Sequence, residues 1–437
     1  MPVLRFLRNH CSKRLNLFPK LNWSNQFPVV QTVLRKMRKI NLSSFQIATS
    51  EIARDINRRI ILNLIRTKQP ISRADIARYT GLQRSTVSLI IEQLLAEQWI
   101  TEGALGHLPR GRKPRFLHLN NERAGIIGVN VRPELTTLAL TDLNANFITQ
   151  DSLPTPTNPQ LFLEQLADRI QNLLRSHPNT FCEGIGVGVP GRVNRQTQKM
   201  VFAPNLGWRN VDFKNYLEKV TGLPVEVENA ANSCALFELW FGKHSEGIHD
   251  LIALTVSEGI GTGIIANGQL VTGVDGMAGE FGHVSINESG PLCRCGNHGC
   301  WEVYASNMAT SNYYAQALGK SNGKSSNERS MPSFEDIMRL CEQGDSRARE
   351  SIDRMAHYLG VGTAMLVTSF APRLIICVGE VTRVWDRVEP IIRDIVAEKS
   401  PLANATKIIP LDDFAYPRLR GAVSLVLQKH FVAPSVA

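Results

Sequence analysis

Three cysteines and one histidine lie close together in this chain, and these residue types bind soft metal ions. They are His283, Cys293, Cys295 and Cys300, with the spacing H-x9-C-x-C-x4-C. Three thiolates and one imidazole are a ligand set that Zn²⁺ takes in a closed tetrahedral site. The segment is short and rich in glycine, so a metal ion would replace the apolar core that it lacks. The spacing therefore predicts a zinc site.

A role without a metal ion is less favoured for these residues. A C-x-C pair can form a disulfide or be buried as an apolar pair, and a single histidine is usually an ordinary one. A cytosolic chain disfavours disulfides, and four such residues at so dense a spacing favour zinc. His298, inside the same segment, is a spare candidate ligand. Glu280 and Glu302 would place two carboxylates beside the imidazole of His283, and this polar corner suits sugar hydroxyls.

The composition is that of a soluble globular protein with an uneven distribution of charge. The chain has 437 residues, of which 43% are apolar and 20% charged, enough for two or three domains. No stretch resembles a membrane span or a secretory signal, so we expect a cytoplasmic protein with no membrane partner. Residues 1–120 contain 21 Lys and Arg against 6 Asp and Glu, whereas residues 121–437 contain 28 against 33. We therefore expect a polyanion to bind the N-terminal region only.

The first forty residues are basic and have no sustained periodicity. They contain nine Lys or Arg and no Asp or Glu. Three interpretations are open: an arm that contacts phosphates, a disordered leader, or an extension upstream of a start at Met37. The last two are favoured over the first, and we expect the segment to be mobile.

A helix-turn-helix pattern follows this segment. Apolar residues recur at helical spacing and predict one helix with a buried face. Ser72 is placed to cap a short second helix, Gly81 supplies a turn, and a third helix begins near Gln83. The apolar positions of the first helix are Ile52, Ile56, Ile60, Ile61, Leu64 and Ile65. The inward positions of the last helix are Val87, Ile90, Ile91, Leu94 and Leu95.

Residues 103–119 predict a hairpin wing with the basic tip Pro-Arg-Gly-Arg-Lys-Pro. Arg and Lys beside a glycine can follow the narrow minor groove of A·T-rich DNA, and the polar start of the last helix can meet the major groove. Helix-turn-helix pairs also occur in protein–protein modules, but the wing and the charge together favour double-stranded DNA. The predicted DNA-binding residues are Gln83, Arg84, Ser85, Thr86, Ser88, Arg110, Gly111, Arg112 and Lys113.

The rest of the chain predicts two related lobes with a cleft between them. From residue 124 the pattern reads strand, strand, strand, helix and strand, which is the start of an actin-like nucleotide-binding lobe. Residues 251–273 repeat this opening with a Gly-rich turn and an Asn-Gly turn. The predicted domains are 1–50, a basic extension; 51–122, a winged helix-turn-helix; 123–235, a first lobe; and 236–437, a second lobe whose last helix returns to the first.

Residues 52–430 resemble the ROK family (repressor, open reading frame, kinase). The resemblance lies in the segments VPGRV, APNLGW, VEVENAAN, EGIGTGII, GMAGEFGH and CRCGNHGCWE. The winged helix is similar to that of the regulator branch, such as the glucose and N-acetylglucosamine repressors. The resemblance implies an α/β fold with an actin-like (ribonuclease H-like) body and zinc on His283 and the three cysteines. The implied sugar-binding residues are Asn229, Glu280, His283 and Glu302, with one imidazole nitrogen on the metal and the other facing a hydroxyl.

The same resemblance implies that the chemistry of the family's kinases has been lost. Their Asp base corresponds here to Ala230, which cannot accept a proton. Their first phosphate turn, Asp-x-Gly-Gly-Thr, reads Asn-Val-Arg-Pro-Glu at residues 130–134, which removes two glycines and one amide N–H. A later Gly-Gly has become Gly379-Glu380, and only residues 259–263 still look like a phosphate turn. We expect no catalytic residue.

The predicted function is that of a sequence-specific transcriptional regulator, more a repressor than an activator, that a sugar or sugar phosphate releases from DNA. Because the missing Asp also binds sugar in the kinases, a vestigial cleft is an alternative. Two further alternatives are a ROK sugar kinase that phosphorylates a hexose with ATP, and an effector-independent regulator controlled by a partner protein. Half-site recognition by one helix is weak, so a homodimer or a dimer of dimers is expected.

Overall fold

The structure, a computed structural model, describes most of the chain. The described residues are 50–105, 115–121, 124–244, 247–319 and 331–431. The predicted basic extension and the wing tip, with Arg110, Gly111, Arg112 and Lys113, lie outside them.

The N-terminal part is a three-helix unit with a small sheet, which we call the head. Its elements are α1 (Ser50–Lys68), β1 (Ile71–Ser72), α2 (Arg73–Thr80), α3 (Arg84–Ala96), β2 (Ile100–Leu105) and β3 (Arg115–Leu119). Ser72 and Asp75 form a reciprocal capping box at the start of α2, and Gly81 ends that helix with a φ of 71°. The strands pair in the order β1-β3-β2, so the predicted wing strands are present.

The buried face of α1 agrees with the predicted one at Ile61 and Ile65 and differs at Ile60 and Leu62. Ile61, Leu62 and Ile65 are fully buried, whereas Ile60 is 43% exposed. Besides α2 and α3, α1 packs on the last of the described helices. A helix with two partners buries a stripe that its own periodicity does not single out.

The first lobe is built on a five-stranded sheet in the order β11-β7-β4-β5-β6, beside a small sheet in the order β10-β9-β8. Its strands are β4 (Ala124–Asn130), β5 (Leu135–Thr141), β6 (Phe147–Pro154), β7 (Phe181–Val189), β8 (Arg192–Val193), β9 (Met200–Ala203), β10 (Trp208–Val211) and β11 (Val225–Asn229). Its helices are α4 (Pro159–Ser176) and α5 (Phe213–Thr221). Strands β8 to β11 and helix α5 were not predicted from the sequence.

The second lobe repeats the same connectivity, with the strand order β14-β13-β12-β15-β16. In both sheets the first strand pairs antiparallel with the second and parallel with the fourth. Its strands are β12 (Leu251–Val256), β13 (Ile260–Ala266), β14 (Gln269–Leu270), β15 (Leu374–Val378) and β16 (Lys407–Pro410). The helices are α6 (Ala230–Phe241), α7 (Glu302–Ala305), α8 (Asn307–Ala317), α9 (Phe334–Glu342), α10 (Ser346–Phe370), α11 (Trp385–Lys399) and α12 (Pro417–Phe431).

Helices α6 and α12 join the two lobes. Helix α12 lies on the first sheet, α6 lies on the second, and the two helices pack on each other. Glycines allow the close approach: a Cβ on Gly186 of β7 would lie 1.9 Å from the carbonyl oxygen of Ala422, and one on Gly263 of β13 would lie 2.2 Å from that of Ala231. The predicted boundary between residues 235 and 236 therefore falls inside α6, which packs on the second sheet.

The head shares its hydrophobic core with the body. Buried residues of α1, α3 and the wing, including Ile65 and Trp99, belong to one cluster with Val423, Leu427 and Phe431 of α12. A shared core restrains the orientation of the head, whereas a flexible linker would not. Among the described helices, none has the length and apolarity needed to cross a membrane.

We predict that Gly186→Ala destabilises the protein whereas Gly188→Ala does not. Both glycines lie on the same face of β7, but a Cβ at 188 meets its nearest atom at an ordinary 3.7 Å. Overpacking of this kind costs about 1 to 3 kcal/mol. Denaturant unfolding should show that loss for the first variant and a change within about 0.5 kcal/mol for the control. Equal stabilities would contradict the close packing of α12 on β7.

Candidate metal centre and cleft

The four predicted metal ligands meet in one cluster. The ligand atoms of His283, Cys293, Cys295 and Cys300 all lie within 4.8 Å of one another. Nδ1 of His283 is 3.6 Å from Sγ of Cys293, and Sγ of Cys295 is 3.7 Å from Sγ of Cys300. Four ligands held about 2.3 Å from a tetrahedral ion are about 3.8 Å apart, so these residues fit a metal ion.

Glycines and backbone hydrogen bonds shape the loop that carries the cluster. The amide of Cys293 donates to the carbonyl of Asn297 over 2.7 Å. Gly296 and Gly299 have φ values of 96° and 63°, and a Cβ on Gly299 would lie 1.6 Å from the carbonyl oxygen of Asn287. Trp301 then anchors the loop to the second lobe, since it is fully buried. These bonds and close contacts set the path of the backbone around the ligands.

The spare candidate ligand, His298, lies outside the cluster. Nδ1 of His298 is 3.1 Å from the carbonyl oxygen of Gly290. Burial raises the pKa of the Cys300 thiol to about 11 and also raises that of Cys293. A metal ion would displace these protons and supply the positive charge that three thiolates require.

One residue of the cluster, His283, also lines a cleft between the lobes. All four predicted sugar-binding residues, Asn229, Glu280, His283 and Glu302, line this cleft. Nε2 of His283 is 3.7 Å from Oε2 of Glu280, and Nδ1 is 3.4 Å from Oε1 of Glu302. The imidazole therefore lies between two carboxylates, with one nitrogen toward the cysteines. Burial raises the pKa of Glu280 above its ordinary value.

Asn229 holds two backbone segments together at the cleft. Its side-chain oxygen accepts from the amide of Ala231 over 2.8 Å and caps α6, while its Nδ2 donates to the carbonyl of Gly191 over 2.8 Å. Ala230 is the first residue of α6 and also lines the cleft. The asparagine thus ties the start of α6 to the loop after β7. The side chain of Ala230 is a methyl group and offers no proton acceptor.

The glycine-rich segment 259–263 packs closely against its neighbours. A Cβ on Gly259 would lie 2.6 Å from Oε2 of Glu302, and one on Gly261 would lie 2.7 Å from Oγ1 of Thr255. None of the three glycines in this segment has a positive φ. Their small size brings Glu302 and α6 against β13, which is a packing role that the spacing alone did not indicate.

An ion-pair group at the edge of the cleft was not predicted from the sequence. Nη2 of Arg132 lies 2.8 Å from Oε1 of Glu258 and 2.7 Å from Oε1 of Glu380. Burial would raise the pKa of Glu380, but Arg418 and Arg132 lower it to about 2. A signal was present in the sequence: of the three positions where this chain departs from the family's glycines, 132 and 380 carry opposite charges.

The predicted DNA-binding residues of α3 lie at its open N-terminal end. Gln83, Arg84 and Ser85 are exposed, whereas Thr86 and Ser88 are half-buried. The first turn of α3 contains no acidic residue, so the positive end of the helix dipole is not neutralised there. This end presents hydrogen-bonding groups to solvent and suits a polyanion.

Comparisons with known proteins agree with this architecture. The ROK family matches residues 126–429. The xylose repressor of Bacillus spizizenii is 32% identical over 391 residues, which cover 88% of this chain and 98% of that protein. The glucokinase of Halalkalibacterium halodurans is 34% identical over 273 residues, which cover 60% of this chain and 81% of that protein.

A solved structure shows the same fold over nearly the whole chain. The structure of a ROK family transcriptional regulator, a homolog of the E. coli MLC protein, has a TM-score of 0.74 and 24% identity. The match covers 87% of this chain and 98% of that one. The predicted fold, a winged helix-turn-helix followed by a two-lobed actin-like body, is confirmed.

We predict that Cys293→Ser or Cys300→Ser abolishes binding of a metal ion, whereas Cys341→Ser does not. Cys341 is a cysteine of α9 outside the cluster. Elemental analysis of the purified variants should find about one ion per chain in the wild type and the control, and far less in the two cluster variants, because each loses one of four ligands. Unchanged metal content in the cluster variants would contradict the site.

Proposed function

The chain belongs to the ROK family, and we propose that it is a DNA-binding transcriptional repressor of carbohydrate-metabolism genes that responds to a sugar. The observation that carries the proposal is the position of the head. It contacts the far ends of α6 and α12, and the first residues of both helices line the cleft. A ligand in the cleft can therefore act on the head through two rigid elements.

Helix α6 provides one connection. It begins at the cap formed by Asn229, in the cleft, and ends at Phe241. There Nη2 of Arg66 from α1 donates to the carbonyl of Trp240 over 2.9 Å, and the guanidinium lies 4.4 Å from the centre of the Phe241 ring. Burial lowers the pKa of Arg66 to about 10, so this side chain stays charged at neutral pH. A shift of α6 would move α1 with it.

Helix α12 provides the second connection. Arg418, in its first turn, lines the cleft, and its last residue, Phe431, is buried in the core of the head. Nη1 of Arg59 donates to the carbonyl of Lys429 over 2.7 Å, and the ring of His430 lies 4.7 Å from that of Trp99. Because α6 lies on one lobe and α12 on the other, a change in the angle between the lobes would tilt the head.

The ligand we propose is a sugar, bound by Glu280, His283 and Glu302. Carboxylates on both sides of one imidazole can accept hydrogen bonds from neighbouring hydroxyl groups. The relative in Bacillus spizizenii is a xylose repressor, which supports a sugar effector. Asn229 contributes by holding the start of α6, since its side-chain amide already has partners.

The metal ion we propose is Zn²⁺, held by His283, Cys293, Cys295 and Cys300. Three sulfur ligands and one nitrogen ligand favour zinc over hard cations such as Mg²⁺. When bound, the ion fixes the loop and the ring orientation of His283. The second nitrogen of that ring, 3.7 Å from Glu280, is then presented to the cleft.

A sugar kinase is the disfavoured alternative. The xylose repressor matches the head and the body together, whereas the glucokinase match covers 60% of the chain. At the base position stands Ala230, and the nearby Glu228 accepts from the amide of Asn229 over 2.7 Å and from the side chain of Asn232 over 3.1 Å. At that position the chain thus lacks the proton acceptor that phosphoryl transfer needs.

The DNA contacts we propose come from α3 and the wing. Gln83, Arg84, Ser85, Thr86 and Ser88 would enter the major groove of an A·T-rich operator, and the basic wing tip would follow the minor groove. A homodimer or a dimer of dimers would read two half-sites, in the cytoplasm. Control by a partner protein on the body is a second candidate mode, which sugar-insensitive DNA binding would favour.

The proposal is tested by titrating labelled DNA from the region upstream of the gene with the full-length protein, with and without D-xylose, D-glucose or their phosphates. Fluorescence anisotropy should show binding of a specific fragment, weakened by one of the sugars. The same protein, incubated with ATP and each sugar, should form no ADP. Sugar-dependent ATP consumption, or no binding to any promoter fragment, would overturn the proposal.

We predict that Arg84→Ala weakens binding of this DNA by about 1 to 3 kcal/mol, the range for loss of one good base contact. Arg339→Ala is the matched control, because Arg339 is an exposed arginine of α9 paired with Asp336 and lies outside the head. The Arg339→Ala variant should bind this DNA with the affinity of the wild type. Equal losses in both variants would indicate nonspecific attraction by charge and not recognition by α3.

We predict that Arg66→Met uncouples the sugar from DNA binding. The methionine keeps apolar contact with Phe241 but removes the donor to Trp240, so the sugar should still bind while its effect on DNA affinity falls by about 0.5 to 2 kcal/mol. Arg54→Met is the control, since Arg54 lies on the same helix and donates to Gln93 within the head. Calorimetry measures sugar binding and anisotropy measures the effect on DNA. An unaltered sugar effect in Arg66→Met would contradict the connection through α6.

A further inference from the structure

One arginine bridges the two lobes at the edge of the cleft. Arg132 follows β4 of the first sheet, whereas Glu258 follows β12 and Glu380 follows β15 of the second. The same Nη2 atom of Arg132 lies within 2.8 Å of a carboxylate oxygen of each glutamate. These contacts therefore cross from one lobe to the other at the carboxyl ends of the central strands.

The group is largely shielded from solvent. The side chains of Arg132, Glu258 and Glu380 are 29%, 21% and 13% exposed. Burial alone would lower the pKa of Arg132, but the two carboxylates raise it above its ordinary value. Nδ2 of Asn307 also donates to Glu380 over 3.0 Å. Charges held in this way are costly to separate, because each would be left without its partner in a poorly solvated place.

The group borders two neighbouring hollows. Arg132, Glu258 and Arg418 line both the cleft and a second hollow, which Phe414 and Tyr416 also line. The lobes are joined by the contact between α6 and α12 and, separately, by the ion pairs of Arg132. Breaking the ion pairs would leave the helix contact in place and let the lobes rotate about it.

We propose that Arg132, Glu258 and Glu380 form an interlobe latch, which holds the cleft together without any ligand and opposes rotation of α6 on α12. The ion pairs of the latch link the two lobes, as a ligand bound to both lobes would. Its consequence for the head rests on the proposed function: a broken latch would change DNA affinity in the absence of sugar. Its effect on the lobes does not depend on DNA or sugar.

Hydrogen exchange of the full-length protein, measured by mass spectrometry without DNA or sugar, tests the latch. In Arg132→Glu, which sets three carboxylates against one another, peptides covering residues 130–137 and 256–261 should exchange at least about tenfold faster. Combining Arg132→Glu with Glu258→Arg recreates an interlobe pair and should restore slow exchange. Arg169→Glu is the control for the charge change, because Arg169 pairs with Asp151 inside the first lobe.

If Arg132→Glu unfolds the protein, the same exchange measurement is made on Arg132→Gln. This variant removes the charge without adding repulsion. The same two segments should exchange faster, and exchange in the rest of the chain should be unchanged. Wild-type exchange in both single variants, or faster exchange that the second substitution does not reverse, would overturn the latch. Neither result would affect the proposed function, which the DNA and sugar titrations test on the wild type.

Discussion

The packing of α6 on α12 is the contact on which the rest of this molecule depends. Each helix lies on the sheet of a different lobe, and glycines such as Gly186 and Gly263 bring each helix against its sheet. Each also starts in the cleft and ends against the head. We therefore expect a change in the angle between the lobes to move the head. This geometry connects the cleft, the ion pairs of Arg132 and the head.

The parts of the fold that local chemistry determines were predictable from the sequence. The cluster of His283 and three cysteines was predicted from ligand type and spacing, and the structure brings all four ligand atoms together. The capping residue Ser72 and the turn at Gly81 lie where predicted, because helix caps depend on a few adjacent residues. The repeated strand pattern of the two lobes corresponds to identical strand orders in the two sheets.

The features that were missed depend on contacts between distant parts of the chain. Leu62 of α1, which was not predicted to face inward, is buried in the core that α1 shares with α12, at the other end of the described chain. The hydrogen bond that Asn229 donates to the carbonyl of Gly191 could not be predicted, because the two residues are distant in the sequence. Arg132 and Glu380 were interpreted only as lost glycines, because an ion pair between residues so far apart has no local signature. In each case the missing information was the identity of the neighbour.

The central claim is that binding of a ligand in the cleft changes the junction between head and body through α6 and α12. The most direct measurement is hydrogen exchange of the full-length protein with and without saturating sugar, taking D-xylose first and D-glucose second. The account predicts that the sugar which binds changes exchange at residues 59–66 and 237–241 together with the cleft segments. A sugar that binds and protects only the cleft, while the junction between head and body exchanges as before, would contradict it.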